Sequence, residues 1–335
     1  MSSSGISIRP MTTEDCASVV GLIRNCYGDS YGVDYFYHVD DLIAKLASGQ
    51  LRSVVALKNG QVVGHMALLL LHPQARVCEA GNTVICHTAR NEGLMMQLAQ
   101  QLHELAIEAG FVGYIHYPTT AHPIMQKTSV DYGGVETGIM LRYSAAQSDY
   151  PQSATSDGRL ATTVAYQPVS DAPVRELSRL PERYATFIGD RYQQLDLPRQ
   201  FGSQPSLPLA GDTNLTASFN QRWQYLQITV ERAGENLANE VAALIIQYRP
   251  CVSYIDLAVD ANAIDRTLES LNELGFFYAA LLPDFAGVDI LRLQKLTDAS
   301  EADFHPNLAN DSAHHLLAFI RNDASSIGVL QPSHL

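Results

Sequence analysis

The sequence lacks any long run of apolar residues. Its longest strongly apolar stretch, MALLLLHP, begins at Met66 and is far shorter than the roughly 20 residues that a membrane-spanning helix needs. The N-terminal segment MSSSGISIRP also lacks the charged region and the apolar region of a secretory signal. We therefore expect a soluble, cytoplasmic protein with no membrane partner.

Lysine and arginine are scarce and nowhere clustered. The chain has 22 basic residues against 35 acidic ones, which gives a formal net charge of -13. A nucleic-acid interface needs clustered Lys and Arg side chains to neutralise phosphates. The charge balance therefore excludes nucleic acid from the expected partners.

Cysteines are few and odd in number, and none belongs to a CxxC motif. They are Cys16, Cys26, Cys78, Cys86 and Cys251. Disulfide frameworks and zinc sites use paired or closely spaced cysteines, so we expect reduced thiols and no bound metal. Cys86 is interpreted as a packing residue, because no neighbour in the sequence would strongly lower the pKa of its thiol.

Length and composition favour two domains. A chain of 335 residues with 46% hydrophobic residues can bury two ordinary cores. The segment SAAQSDYPQSATSDGR is small, polar and without periodicity, which is typical of a linker. It predicts a first domain at 1–146, a linker at 147–159, a second domain at 160–298 and a tail at 299–335 with one short helix.

The first domain is predicted to mix strands and helices. GISIRPM is typical of a strand, and TTEDCASVVGLIRNCYG of a helix with Thr12 or Thr13 as its N-cap. Two β-branched runs around Asn59 and Gly60 predict a hairpin. ARVCEAGNTVICH is a further strand, and GLMMQLAQQLHELAIEAG is a helix that ends at Gly110. The second domain repeats the later part of this order, which suggests an internal duplication.

The segment HTARNEGLMMQL, which connects this strand to this helix, has features of a phosphate-binding turn. A helix N-terminus presents unpaired N–H donors and a partial positive charge, so a phosphate binds there when the backbone can be approached closely. Arg90 and Gly93 suit such a site. Met95 leaves two alternatives, because its side chain either crowds the phosphate or points into the core.

Four features together resemble the GCN5-related N-acetyltransferase (GNAT) superfamily. They are the opening IRPMTTEDCASVVGLI, the hairpin SVVALKNGQVVGHMAL, the strand, turn and helix around Arg90, and the segment DYGGVETG. The resemblance implies an α/β (α+β) fold with two GNAT-like domains, each a mixed, mostly antiparallel twisted sheet flanked by helices. LNELGFF in the second domain also fits, but ITVERAGENLANEV lacks the family's turn, so we expect a degenerate second repeat that binds coenzyme A (CoA) poorly.

The resemblance also implies acetyl-CoA as the co-substrate. The family's turn reads Q/R-x-x-G-x-G/A and binds pyrophosphate through backbone N–H groups; Met95 departs from this pattern. The strand before the turn supplies a main-chain donor to the thioester carbonyl, and His122 stands where members often carry an Asn that contacts CoA. The CoA-binding residues implied by the resemblance are Thr83, Val84, Ile85, Arg90, Asn91, Glu92, Gly93, Leu94, Met95 and His122.

Catalysis in this family requires that the acceptor amine lose a proton and that the CoA thiolate gain one. Glu79 lies on the strand where several members place the base, with an ordinary strand-surface carboxylate as an equal alternative. Ser129 holds the position of the usual tyrosine acid, and Tyr132 lies three residues away, with packing against the sheet as its alternative role. The catalytic candidates are therefore Glu79, Tyr132 and Ser129.

The resemblance places the aromatic stretch CYGDSYGVDYFYH on the acceptor side. Flat rings and hydroxyl groups suit a small molecule that is part apolar and part polar. The predicted substrate-binding residues are Tyr27, Tyr31, Tyr35, Tyr37 and His38. The alternative is that Tyr35 and Phe36 anchor this loop to the core.

The implied function is acyl-CoA-dependent N-acyl transfer, in which an acetyl group moves from acetyl-CoA to an amine of a small molecule or a peptide. The alternative is a non-catalytic GNAT-like protein that binds or regulates, which the departures at Met95 and Ser129 favour. A monomer and a homodimer both remain open.

Overall fold

The computed structural model describes residues 5–29, 31–70, 75–145 and 158–330. The chain divides into two compact units: a first unit of Met1–His116 with Pro168–Asp171, and a second unit of Tyr117–Gln167 with Ala172–Leu335. These units group residues by proximity in space, whereas the predicted domains 1–146, 160–298 and 299–335 divide the chain by sequence and stay a prediction. Residues 147–157 of the predicted linker lie outside the described ranges.

The first unit contains a mixed set of five strands. They are β1 (Ile6–Pro10), β2 (Leu51–Lys58), β3 (Gln61–Leu69), β4 (Val77–Ile85) and β5 (Gly113–His116). Consecutive strands from β1 to β4 pair antiparallel, and β4 pairs with β5 in parallel. The predicted hairpin joins β2 to β3, where Asn59 and Gly60 have φ angles of 52° and 79°. Both values suit the two-residue turn that matches the strand twist.

Three helices cover the strands of the first unit. They are α1 (Cys16–Tyr27), α2 (Val39–Ala47) and α3 (Leu94–Glu108). Thr12 forms the predicted N-cap together with Asp15, in a 3-10 turn that leads into α1. Gly110, with a φ of 77°, follows the end of α3 as predicted. One hydrophobic core packs α3 against the strands, and a second packs α1 and α2.

The second unit contains the remaining strands and helices. The strands are β6 (Val135–Ala145), β7 (Arg159–Pro168), β8 (Arg175–Leu177), β9 (Arg199–Phe201), β10 (Asn214–Asn220), β11 (Tyr225–Arg232), β12 (Val252–Ala258), β13 (Phe277–Leu282) and β14 (Ile290–Leu296). The helices are α4 (Pro123–Asp131), α5 (Ala185–Gln194), α6 (Leu237–Tyr248), α7 (Ile264–Glu273) and α8 (Asp311–Ser326). Every residue of β13 is buried, as is typical of a central strand.

Strand order shows the predicted duplication. In the first unit, β3 pairs antiparallel with β4, which continues through α3 into its parallel neighbour β5. In the second unit, β10 pairs antiparallel with β11, which continues through α6 into its parallel neighbour β12. Strands β12, β14 and β13 then follow in antiparallel order. The fold class is therefore as predicted: α/β, with mostly antiparallel pairing and flanking helices.

Two features of the second unit differ from the sequence-based expectation. The tail helix α8 has 16 residues, whereas a short helix was expected. The segment PRQFGSQPSLPLAGD after α5 is rich in proline and glycine and predicts a loop, but it contains the three-residue strand β9, which pairs with β8. Strand β6 pairs with β13 at Gly138 and Ala280, which lie so close that a Cβ on Gly138 would clash with Ala280. Within the described ranges, no helix is both long and apolar enough to span a bilayer.

Candidate functional site

Strands β4 and β5 begin as parallel neighbours and then separate. Their pairing runs from Val77 to Ala80 on β4 and ends at His116 on β5. Strand β4 continues for five more residues to Ile85, which pairs with Gly64 on the other side. The carboxyl ends of parallel strands form the usual ligand crevice of open α/β sheets. This separation therefore marks one end of a candidate site in the first unit.

A β-bulge lies in the part of β4 beyond this separation. His65 pairs with Val84 and Ala67 with Gly81, so Asn82 and Thr83 together oppose a single residue of β3. Asn82 has a φ of 52°, which is unusual for a residue other than glycine.

The bulge reverses the alternation of β4 side chains. Cys78 and Ala80 pack in the core that contains α3, whereas Val84 packs in the core that contains α1 and α2. Because the usual period of two is interrupted, the backbone at Thr83 turns away from the regular ladder.

Two long-range hydrogen bonds hold the bulge in place. Nδ1–H of His65 donates to the carbonyl oxygen of Asn82 at 2.9 Å, which leaves Nε2 to accept from the Ser53 hydroxyl at 3.2 Å. The Tyr31 hydroxyl donates to Oδ1 of Asn82 at 3.0 Å. Burial lowers the pKa of His65 to about 4, so its imidazole is neutral at physiological pH. The sequence did not single out His65 or Asn82, because only the folded arrangement brings them together.

Of the tyrosines predicted to line the acceptor side, only some lie near this bulge. Tyr27 and Tyr31 lie with ring centroids 5.0 Å apart. The amide of Tyr31 donates to the Tyr37 hydroxyl at 2.7 Å. His38 is exposed and stands at the N-cap of α2.

Two of these rings are also covered by the chain's own cations. Nζ of Lys45 lies 4.7 Å from the ring centre of Tyr35, and Cζ of Arg24 lies 5.4 Å from that of Tyr37. Phe36 is fully buried. The 3-10 turn at Asp34–Tyr37 therefore anchors the loop to the core, which agrees with one of the two sequence-based alternatives.

Glu79 lies on β4 on the side of these tyrosines. Burial raises the pKa of Tyr35, and the nearby carboxylate of Glu79 raises it further. The same carboxylate contributes to the raised pKa of the half-buried Tyr31, after desolvation. The structure therefore brings Glu79, Tyr31 and Tyr35 together with the bulge at Asn82.

The turn between β4 and α3 has an open, approachable backbone. A 3-10 turn at His87–Ala89 leads to Arg90, which is exposed and whose Nε donates to the Ile85 carbonyl at 3.4 Å. Asn91 and Gly93 have φ angles of 67° and 71°. Gly93 is the N-cap of α3, and a Cβ built there would have no described atom within 4 Å. The turn thus leaves space around the first backbone N–H groups of the helix.

Met95 does not fill that space. Its side chain is half-buried and packs against the core that contains Leu94 and Leu98. Of the two orientations considered from the sequence, the inward one is therefore observed. Glu92 is paired with Lys58, with 2.6 Å between Oε1 and Nζ. Because Glu92 pairs with Lys58, it does not balance the positive charge of Arg90 in the same turn.

Cys86, at the start of the turn, packs against both cores of the first unit. Its Sγ lies 3.3 Å from the Thr88 hydroxyl, and this hydrogen bond is the main reason that the pKa of Cys86 is lowered. The packing role inferred from the sequence is observed, whereas the lowered pKa was not expected.

Within the described ranges, no cluster of three or more His, Cys, Asp or Glu side chains could hold a metal ion.

The other three predicted site residues belong to the second unit. His122 is the N-cap of α4, and its carbonyl accepts from Nε2 of Gln126 at 3.4 Å. Ser129 is buried at 3% exposure beside Gly134, whose amide donates to the Ser129 carbonyl at 3.0 Å. Tyr132 is half-buried at the C-cap of α4, and burial raises the pKa of its hydroxyl. Their catalytic and CoA-binding roles stay predictions.

Among the comparisons with known proteins, the matches are all to solved structures. No protein-family model and no curated protein sequence matches the chain. Among solved structures, an N-acetyltransferase from Staphylococcus aureus is similar, with 19% identity, a TM-score of 0.40 and coverage of 50% of this chain and 100% of that chain. The ribosomal-protein-S18-alanine N-acetyltransferase from Escherichia coli has 14% identity, a TM-score of 0.39 and coverage of 50% and 96%.

A third similar structure is an N-acetyltransferase from Thermoplasma acidophilum in complex with coenzyme A. It has 13% identity, a TM-score of 0.35 and coverage of 49% of this chain and 98% of that chain. Each of these three acetyltransferases is similar to about half of this chain.

Proposed function

We propose that the chain binds an acyl-CoA at the first unit and transfers the acyl group to an amine of a small molecule or a peptide. Acetyl-CoA is the proposed donor. The observation that carries this proposal is the open turn at Gly93, which lies between the end of β4 at Ile85 and the start of the 15-residue helix α3 at Leu94.

The turn fits a diphosphate for three reasons. The N-cap has no side chain, Met95 packs inward, and a Cβ at Gly93 would stand in open space. First-turn N–H groups and the helix dipole favour an anion at such a position. Arg90 is exposed beside the turn and adds a positive charge. Arg90, Gly93 and the first residues of α3 would therefore hold the diphosphate.

The bulge fits the reacting end of the donor. An acyl-CoA supplies a thioester whose carbonyl carbon an amine can attack. A main-chain N–H near Thr83 would stabilise the negative charge that develops on the carbonyl oxygen, because a fixed donor requires no rearrangement during the reaction. Asn82 is held from two sides by His65 and Tyr31, so the bulge is well positioned for this role.

Glu79 is the proposed general base. Its carboxylate would accept a proton from the acceptor amine, directly or through a water molecule. The ring of Tyr31 on the same side would contact the apolar part of the acceptor.

A non-catalytic binding protein is the second candidate function. Ser129, which stands at the position of the family's acid, is buried against Gly134 and is a poor proton donor to a bound ligand. This favours a protein that binds CoA without transferring an acyl group. Acyl transfer remains the first choice because the bulge and Glu79 would have no role in binding alone.

Thermal unfolding with and without CoA tests the proposal. A ligand that binds only the folded state stabilises it by about 2.7 kcal/mol at a concentration 100 times its Kd. We expect acetyl-CoA to raise the melting temperature, and Gly93→Trp to abolish the rise. Gly110→Trp is the matched control, because Gly110 has a similar φ of 77° and equally open surroundings at the other end of α3.

Two outcomes would decide against the proposal. If millimolar CoA leaves the melting temperature of the wild-type protein unchanged, both candidate functions fail. If CoA stabilises the protein but no acceptor in an amine panel yields a product from acetyl-CoA, the non-catalytic candidate replaces acyl transfer.

A further inference from the structure

A cavity lies in the second unit where β11 and β12 separate. Their parallel pairing ends at Thr229 and Asp256, and both strands continue beyond these residues. A cavity of about 430 Å³ opens at the carboxyl ends of the two strands, next to the start of α7. Its volume lies within the range of small-molecule sites. The carboxyl ends of parallel strands are also where open α/β sheets bind ligands.

The wall of this cavity is largely aliphatic. The residues that line it include Val230, Leu257, Ala258, Ala261, Ala263 and Ile264. Two charged residues, Glu231 and Arg232, also line it. Both already have partners within the second unit: Glu231 accepts from Nδ2 of Asn214, and Arg232 donates to the Asp212 carbonyl at 3.2 and 3.3 Å. The cavity therefore suits apolar surface better than a charged group.

The helix end that follows β11 is closed to phosphate. A Cβ on Gly234 would lie 2.3 Å from the Gly211 carbonyl oxygen, so the chain's own loop packs directly on this turn. The Gly234 amide donates to the Thr213 hydroxyl at 3.0 Å, and the Glu235 amide donates to the Gly211 carbonyl at 2.9 Å. The Thr213 amide in turn donates to Oδ1 of Asn236, the N-cap of α6, at 2.8 Å. Gly93 in the first unit shows none of this closure.

We infer that this cavity binds an uncharged aliphatic chain with a single polar head group and without phosphate. The aliphatic wall takes the chain. Asn262, which also lines the cavity, carries a side-chain amide that can pair with a neutral polar head. The closed turn at Gly234 excludes a nucleotide diphosphate, so the ligand is not an acyl-CoA. This site is separate from the one proposed in the first unit.

Titration of the full chain with hexanamide tests the inference. In methyl-labelled protein we expect hexanamide to shift the resonances of Ala258, Ala261, Ala263 and Ile264, with saturation at one site, and to leave that of Ala243 on the exposed face of α6 unchanged. Because each buried methylene contributes about 0.8 kcal/mol, butanamide should bind roughly 15-fold more weakly. No shift up to the solubility limit, or shifts at other methyl groups, would overturn the inference.

A pair of substitutions provides a second test. Ala261→Trp fills the cavity and should abolish hexanamide binding, whereas Ala243→Trp adds the same bulk on an exposed helix face and should not. Hexanamide binding retained in Ala261→Trp would contradict the inference. Shifts of the cavity methyl groups with CoA but not with hexanamide would also contradict it, because they would make this a CoA site. A failure of CoA to bind anywhere would overturn only the function proposed for the first unit.

Discussion

At the scale of single residues, His65 connects the site to the stability of the fold. It is fully buried, and both ring nitrogens take part in hydrogen bonds that hold the bulge of β4. A histidine with one ring nitrogen as donor and the other as acceptor must be neutral. Protonation would therefore reverse the bond with Ser53, whose hydroxyl would have to accept, and would place an unpaired charge in the core.

We predict that the free energy of unfolding depends on pH through His65. Its pKa is lowered from 6.5 to about 4 in the folded protein, so the unfolded chain binds the proton more tightly. The stabilisation is fully present above about pH 6.5 and is lost as the pH falls towards 4, to a total on the order of 3 kcal/mol. Urea unfolding between pH 7.5 and 4.5 measures this slope. His65→Phe should be less stable at pH 7.5 but should show a smaller slope; equal slopes would refute the assignment.

A second prediction at the scale of single residues concerns Glu79. Glu79→Gln keeps the shape of the side chain but removes its ability to accept a proton. We expect the rate of acyl transfer to fall by 10²- to 10⁴-fold, which is the usual contribution of a general base. Stabilisation by acetyl-CoA should persist, because Glu79 is not part of the turn.

Glu108→Gln, at the exposed end of α3, is the control for this substitution and should leave both quantities unchanged. A transfer rate that Glu79→Gln does not alter would show that the carboxylate is an ordinary strand-surface residue.

At the scale of secondary-structure elements, two glycines should respond in opposite ways to the same substitution. A Cβ on Gly138 would lie 2.3 Å from the Cβ of Ala280, so Gly138→Ala forces β6 and β13 apart. We expect a loss of about 1–3 kcal/mol in the free energy of unfolding, or more. Gly189 lies inside α5 with no described atom within 4 Å of an added Cβ, and Gly189→Ala should gain about 0.5–1 kcal/mol.

Denaturant unfolding of the two variants measures both effects. Equal stability of Gly138→Ala and the wild-type protein would mean that the two strands separate without cost, contrary to the close approach that the structure shows.

Local signals explain which elements the sequence could predict. Asn59 and Gly60 define the hairpin by their own preference for positive φ, and Gly110 ends α3 for the same reason. The bulge at Asn82 depends instead on His65 and Tyr31, which are 17 and 51 residues away in the chain. Contacts of this kind leave no local pattern. The candidate base and the turn could therefore be proposed from the sequence, but the arrangement that positions them could not.

The same limit applies to the ion pairs of the second unit. Arg199 is fully buried between Asp284 and Asp289, with N–O distances of 2.6 to 2.7 Å. The sequence shows three ordinary charged residues at these positions. Their burial is tolerable only because each charge has a partner, and that pairing across 85 and 90 residues arises from the tertiary fold.

At the scale of the whole molecule, one strand order occurs twice and has diverged at the helix start. The turn at Gly93 is open, whereas the corresponding turn at Gly234 is covered by the Gly211–Thr213 segment. The sequence indicated this difference, because ITVERAGENLANEV lacks the family's turn. It gave no indication of the aliphatic cavity beside the closed turn, because the cavity is lined by residues from three separate segments.

The net charge of the molecule yields a prediction on ligand association. A chain with a formal net charge of -13 repels the phosphates of CoA, and Arg90 offsets this only near the turn. Salt shortens the Debye length from about 30 Å at 0.01 M to about 8 Å at 0.15 M, so it screens the long-range repulsion more than close contacts. We expect the association rate constant of a fluorescent CoA to rise with salt in stopped-flow measurements. The affinity of uncharged hexanamide should not change over the same range. A rate constant that falls with salt would show instead that a local positive field at the turn controls the approach of CoA.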